Sequence, residues 1–163
     1  MKSLLRFSIR HPESLISGLL LAAIAILIFF EVFTRFLFGH TPSGMEEIET
    51  LFFIWFVFLG SVSATRQKGH VSIFFFVARL NPLLRQFVIV VADVLVIIFL
   101  IVFTVYGIVY TKREMLSLSA ILEIPEGYFA LCIPVSAFLM AVYSFLILKE
   151  NLGKLFRMRK ENI

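Results

Sequence analysis

The sequence contains very little cysteine, histidine, tryptophan or charge. Its 163 residues include one cysteine, three histidines and one tryptophan, and only 16% of them are charged. The single thiol, Cys132, excludes an internal disulfide and any metal site built from several cysteines. The sequence has neither a phosphate-binding loop nor His and Cys at zinc-ligand spacing. We therefore predict no cofactor, no metal site and no enzymatic activity.

Apolar residues are present in large excess. They make up 60% of the chain, and phenylalanine alone contributes 20 residues. An ordinary soluble domain is about 45–50% apolar and about 25% charged. A small soluble domain also leaves roughly a third of its unfolded-chain surface in water, so it cannot bury such an excess. The composition excludes a soluble domain and a disordered chain, and it predicts an integral membrane protein.

Four continuous apolar stretches approach or exceed the length of about 20 residues that a membrane helix needs. Continuous runs favour helices, because a membrane β-barrel would show alternation over about 10 residues. The predicted fold class is all-α integral membrane, in a single domain over 1–163. The predicted spans cover about 15–38, 48–65, 87–111 and 125–148. We expect Pro125 in the first turn of the fourth span and a kink at Pro134.

The charged residues predict the orientation of these spans. All basic residues except Arg35, Lys112 and Arg113 lie near the two termini or in the connection after the second span. The positive-inside rule then places both termini in the cytoplasm. The basic excess is explained by topology and contact with anionic membrane lipids, not by nucleic-acid binding. The apolar connection His70–Leu84 is too short to cross and return, so a helix over about 70–81 is predicted in the cytoplasmic interface.

Two acidic residues fall within the predicted spans, where charge is costly and often functional. Glu31 is either a proton- or cation-coupling carboxylate, or an acid neutralised by Arg35 four residues later on the same helix face. Asp93 either belongs to an ion path or pairs with Arg66 or Lys68 at the cytoplasmic end of the second span. The sequence favours neutralisation by Arg35 for Glu31, and a structural or subunit-contact role for Asp93.

The second span is rich in aromatic residues around Trp55. Tryptophan favours the membrane interface, yet Trp55 falls near the middle of this span. Its aromatic surface either faces lipid or forms a wall against another membrane protein. The glycine in this span would allow a second helix to approach closely. The predicted contact with a partner subunit comprises Phe52, Trp55, Phe56 and Gly60.

Several short motifs also occur in a characteristic order along the chain. They are Arg35-Phe36, Glu46-Glu47, Gly60, His70–Ile73, Ile124-Pro125 and Ile133-Pro134. With this order, roughly 15–148 of the chain resembles the small, four-helix Q-type membrane subunit of tripartite ATP-independent periplasmic (TRAP) transporters. The chain departs from that pattern in having Gly44 where the family usually has tryptophan, two residues before the paired acids.

The resemblance implies a non-catalytic scaffold in the bacterial inner membrane. Such a subunit assembles with a large permease subunit and a periplasmic substrate-binding protein. The large subunit carries the substrate and sodium sites and moves in an elevator-like manner, importing small organic acids such as C4-dicarboxylates or sialic acids. Glu46, Glu47 and Glu49 would either start the second helix favourably or contact the binding protein. The alternative function is a self-sufficient, proton-coupled small exporter that uses Glu31.

Overall fold

The structure, a computed structural model, describes residues 12–40, 42–67 and 81–161. Within these ranges the chain forms long helices separated by short connections, and one brief helical segment. The helices are α1 (Pro12–Phe38), α2 (Met45–Arg66), α3 (Pro82–Glu114), α4 (Gly127–Ala130) and α5 (Cys132–Glu161).

In the part of the chain that the structure describes, four helical segments are long and apolar enough to cross a membrane. They are Leu15–Phe38, Met45–Arg66, Pro82–Glu114 and Gly127–Met158. The all-α membrane fold class is therefore confirmed. The helix α3 has 33 residues, and at 1.5 Å per residue it is about 50 Å long, against a hydrocarbon core of about 30 Å. The helices extend beyond the predicted spans, because the predictions rested on apolar residues and these identify only the part of a helix that contacts lipid.

The predicted interfacial helix over about 70–81 falls almost entirely outside the described residues and stays a prediction. The described chain resumes at Asn81, and Pro82 then occupies the first turn of α3. Proline is tolerated there because its missing N–H would have had no helical partner. The cytoplasmic placement of the termini likewise stays a prediction.

The long helices lie side by side in the order α1, α2, α5, α3. The most extensive contact is between α3 and α5, and α2 packs against both α1 and α5. Small buried side chains of α5, among them Cys132, Ser136 and Ala137, are completely inaccessible. Small residues let helix backbones approach closely in lipid, where the hydrophobic effect does not drive helices together. The core of the bundle therefore lies along α5.

Helices α3 and α5 approach each other closely at Gly107. A Cβ atom at this position would lie 3.0 Å from Ile133 Cγ2 and 3.3 Å from the backbone nitrogen of Pro134. Contacts this short require the neighbouring groups to move, and one of them is backbone. The absence of a side chain at Gly107 thus sets the separation of α3 and α5.

The fourth span begins differently from the prediction. The structure places Pro125 in the loop between α3 and α4, where it forms an antiparallel bridge with Leu118. Helix α4 begins at Gly127, and the helical path is interrupted at Leu131 before α5 starts. Pro134 has no N–H to donate to the Ala130 carbonyl, which explains an interruption one turn upstream of it.

Candidate interaction site: the Glu47 anchor and the surface of α2

Glu47, in the first turn of α2, holds the loop between α3 and α4 against the end of the bundle. Its Oε2 accepts hydrogen bonds from Ser119 Oγ at 2.9 Å and from Leu122 N at 3.0 Å. Its Oε1 accepts a hydrogen bond from Ile121 N at 2.9 Å. All three partners are donors, so they match the ionised carboxylate, which is acceptor-only. We name residues 115–126 the anchored loop.

The anchored loop is folded on itself as well as on Glu47. Ser119 N donates to Ile124 O and Glu126 N donates to Ser117 O, each at 2.9 Å. Glu123 turns the chain with a φ of 54°, in the left-handed region that few residues other than glycine adopt. The loop is therefore a defined structural element with its own backbone hydrogen bonds.

Gly44 provides the space that the anchored loop occupies. It precedes α2 with a φ of 87°, and a Cβ atom there would lie 2.6 Å from Leu122 Cδ2. A tryptophan, which the resemblance leads one to expect at this position, would meet both the strained backbone and the loop. The missing side chain at Gly44 therefore allows the anchored loop to pack closely against the start of α2.

The three acids predicted to meet the binding protein have different environments. Glu47 is engaged by the anchored loop, whereas Glu46 is exposed. Glu49 is half-buried, and its Oε1 is buried without a hydrogen-bond partner among the described residues. From the sequence, all three acids had the same two alternatives, namely a favourable helix start or contact with the binding protein. The sequence does not reveal that the anchored loop bonds to Glu47 and not to the other two.

Glu31 and Arg35 form an ion pair on α1. Arg35 Nη2 donates to Glu31 Oε1 at 2.7 Å, and the side chains are 63% and 14% exposed, respectively. The arginine thus reaches outward while the carboxylate stays close to the helix, as expected for a cation near the end of a membrane helix. Glu31 is neutralised locally in this arrangement.

Asp93 lies in a polar clasp between α3 and α5. Asn151 Nδ2 donates to Asp93 Oδ2 at 2.7 Å, and Gln86 Nε2 donates to the backbone carbonyl of Asn151 at 2.9 Å. We name these residues the α3–α5 clasp. The guanidinium of Arg66 lies over the Tyr143 ring, 5.5 Å from its centroid. Sequence reasoning did not consider Gln86 and Asn151 because both fall just outside the predicted spans.

The clasp predicts a specific effect of removing Asn151. We expect Asn151→Leu to reduce stability in detergent by about 1–2 kcal/mol, because interhelical hydrogen bonds in membranes contribute on this scale. The Asp93→Asn variant keeps a carbonyl acceptor and should remain close to wild type, both in thermal unfolding and in transport by the assembled system. Loss of transport in Asp93→Asn with unchanged stability would instead support the ion-path interpretation.

The aromatic residues of α2 divide between its inner and outer faces. Trp55 Nε1 donates to the Tyr128 carbonyl of α4 at 3.2 Å. The side chains of Phe52, Trp55 and Phe56 are half-buried within the bundle. The tryptophan therefore joins α2 to α4, a role that sequence reasoning missed because its acceptor is a backbone carbonyl.

The outer face of α2 carries a different set of residues at helical spacing. Phe53 and Val57 are exposed by 54% and 44%, and nothing lies within 4 Å of a Cβ atom placed on Gly60. Ala64 continues this line and is exposed. We name Phe53, Val57, Gly60 and Ala64 the α2 stripe. Of the four predicted partner-contact residues, only Gly60 lies on it.

The arrangement of motifs and helices agrees with a known family. The family of the DctQ component of tripartite ATP-independent periplasmic transporters matches residues 24–153 of this chain. The chain belongs to this family. It is a small permease subunit of a TRAP transporter, and the predicted multi-pass membrane location is confirmed.

Two relatives of this TRAP subunit are informative. A putative TRAP transporter small permease protein of Haemophilus influenzae is 35% identical over 98 residues, an alignment that spans 60% of each chain. The sialic acid TRAP transporter small permease protein SiaQ of Vibrio cholerae serotype O1 is 24% identical over 157 residues. That alignment covers 96% of this chain and 87% of the relative.

Proposed function

We propose that this TRAP subunit is a non-catalytic scaffold in a sodium-coupled, binding-protein-dependent importer of small organic acids in the bacterial inner membrane. In this role it stabilises and orients a large, elevator-type permease subunit. The family membership carries the proposal, since the family consists of components of tripartite transporters. We infer that both termini lie in the cytoplasm, because most basic residues lie near the termini or in the connection after α2.

The polar groups of the membrane helices support a scaffold rather than a transport pathway. Glu31 is paired with Arg35 on its own helix, and Asp93 is engaged by Asn151. An acid that is already paired offers less to a passing ion or proton than a free one in a water-filled cavity. These contacts also argue against the alternative of a proton-coupled exporter that uses Glu31.

The contact with the large subunit is assigned to the α2 stripe. Its exposed Phe53 and Val57 offer an apolar surface, and the open space at Gly60 lets a second helix approach closely. Phe52, Trp55 and Phe56 are half-buried and lie on the other side of the same helix. This revises the predicted aromatic wall by moving its contact surface to the neighbouring face of the same helix.

The contact with the binding protein is assigned to Glu46. It is exposed at the start of α2, whereas Glu47 is occupied by the anchored loop and Glu49 is half-buried. The substrate is assigned only as a class, small organic acids of the C4-dicarboxylate or sialic acid type. The relative from Vibrio cholerae, whose name specifies sialic acid, supports this class.

Substitution of Gly60 tests the assignment of the α2 stripe. We expect Gly60→Trp to weaken co-purification with the co-expressed large permease subunit about tenfold, or about 1.4 kcal/mol, because the bulky ring prevents close approach of the helices. Gly18→Trp on α1 is the matched control, since a Cβ atom there also meets nothing within 4 Å. Equal co-purification of both variants and the wild type would contradict the assignment.

Reconstitution of the subunit into proteoliposomes distinguishes the scaffold function from the exporter function. The subunit alone in proteoliposomes should transport no organic acid and no cationic drug, whereas the assembled system with its binding protein and a sodium gradient should import substrate. Transport by the isolated subunit that is abolished in Glu31→Gln would contradict the scaffold proposal.

A further inference from the structure

A cavity of about 670 Å³ opens beside the Glu47 anchor. It lies between α2, the end of α3, the anchored loop and the start of the fourth span, so all of these elements contribute to its wall. Its size falls within the range of about 300–1,000 Å³ that is typical of sites for small ligands. The cavity has no role in the scaffold function, which concerns the outer faces of the helices.

The rim of the cavity is strongly acidic. Glu46, Glu114 and Glu126 line it together with Glu47. The Glu47 carboxylate is occupied by the anchored loop, whereas the other three side chains form no ion pair within the described part of the chain. The lining includes neither Lys112 nor Arg113. The rim is therefore complementary to a cationic group.

The floor of the cavity is apolar and extends into the membrane-spanning part of the chain. Phe58, Phe129 and Ile133 line it. Phe58 lies three turns beyond Glu46 along α2, which corresponds to about 18 Å at 1.5 Å per residue. A metal ion or a soluble polyamine would leave this surface unused. A ligand that fits both parts has a cationic head and a hydrocarbon tail.

We propose that the cavity binds one phospholipid whose headgroup carries a primary ammonium, as in phosphatidylethanolamine. The ammonium lies between Glu114 and Glu126, and one acyl chain follows the apolar floor. A primary ammonium donates up to three hydrogen bonds to carboxylates, whereas the quaternary ammonium of phosphatidylcholine donates none. Tyr110, one turn before Glu114, also lines the cavity and supplies a hydroxyl donor to the lipid phosphate.

Trp55 serves as a built-in reporter of this lipid. It is the only tryptophan of the chain, and its indole bonds to the carbonyl of Tyr128, the residue before Phe129 of the cavity floor. Lipids with brominated acyl chains quench tryptophan fluorescence at contact distance. Trp55 does not itself line the cavity, but Ile54 and Phe58 of the same helix do. Surrounding lipid also quenches a half-buried tryptophan, so the dependence of the quenching on the lipid headgroup, measured in the purified, delipidated full chain, is what reports occupancy of the cavity.

The experiment titrates the chain with brominated phosphatidylethanolamine, phosphatidylcholine or phosphatidylglycerol in detergent micelles. We expect phosphatidylethanolamine to reach half-maximal quenching at an about fivefold lower mole fraction than phosphatidylcholine, because only its head satisfies the acidic rim. Phosphatidylglycerol, which is anionic, should be the weakest. Equal quenching by the three lipids would overturn the proposal and leave the cavity to another occupant, such as a helix of the large subunit.

Substitution of the acidic residues on the rim provides a second test of the lipid proposal. The Glu114→Gln/Glu126→Gln variant should lose the preference for phosphatidylethanolamine, and the single Glu126→Gln variant should lose part of it. Glu123→Gln is the matched control, because Glu123 belongs to the anchored loop but does not line the cavity. A preference that survives the double variant, or that disappears equally in Glu123→Gln, would overturn the proposal. Either result leaves co-purification with the large permease subunit unaffected, so the scaffold function is tested separately.

Discussion

Replacing Gly107 with leucine is expected to lower the stability of the bundle by about 2–3 kcal/mol, the scale of overpacking in a close-packed interior. The new side chain would begin 3.0 Å from Ile133 Cγ2 and 3.3 Å from the backbone nitrogen of Pro134. Since α3 and α5 form the most extensive helix contact, their separation cannot change without loss of packing along much of the bundle. Thermal unfolding of the purified chain in detergent, followed by circular dichroism, measures the effect.

Gly18→Leu is the control for this prediction. It makes the same chemical change within a long apolar helix, and a Cβ atom at Gly18 meets nothing within 4 Å. Both substitutions gain the same intrinsic helix propensity, about 1 kcal/mol relative to glycine, so the difference between them isolates the contact with α5. Equal melting temperatures of the two variants would show that the α3–α5 separation does not depend on Gly107.

Replacing Glu47 with alanine is expected to release the anchored loop while the long helices remain folded. The substitution removes the acceptor for Ser119 Oγ, Ile121 N and Leu122 N. Local opening governs amide hydrogen exchange, so we expect the Ile121 and Leu122 amides to exchange at least about tenfold faster. Exchange along α3 and α5 should be unchanged. Hydrogen-exchange mass spectrometry resolves the two regions.

The Glu47→Gln variant refines this prediction. Its amide retains one carbonyl acceptor but replaces the second carboxylate oxygen with a donor, which faces the donors of the loop. Its exchange rates should therefore fall between those of the wild type and Glu47→Ala. Glu46→Ala is the matched control, because Glu46 is exposed in the same helical turn and does not bond to the loop. Equal protection in all variants would contradict the anchor.

The predicted fold was correct in its four membrane-crossing helices, but the ends of these helices were predicted incompletely. The apolar stretches identified the four membrane-crossing segments, because crossing lipid requires a minimum apolar length that is visible locally. The extra turns of α3 at Pro82 and Glu114 were missed, since polar helix ends do not differ in composition from loops. The position of Pro125 was missed for another reason, namely that the hydrogen bonds of its neighbours Ile124 and Glu126 pair it with Leu118 across a hairpin.

The sequence predicted which residues belong to the candidate site better than it predicted their contacts. Glu31 and Arg35 are four residues apart on one helix, so their contact follows from helix geometry alone. The contact of Asp93 with Asn151 joins two helices, and the donor lies outside the predicted span. The exposure of Phe53 and the half-burial of Trp55 depend on the rotation of α2, which neighbouring helices set.

The sequence by itself determined that the chain is a four-helix membrane protein, and the order of its motifs determined its family. Both follow from properties that neighbouring residues carry: apolar length, charge distribution and short patterns. Only the tertiary structure decided that Glu47 anchors a loop, with partners 72 to 75 residues away. It also decided that an acidic rim meets an apolar floor in one cavity. The physical reason is that a side chain acquires its partners only when the helices pack, and packing depends on distant residues such as Gly107 and Pro134.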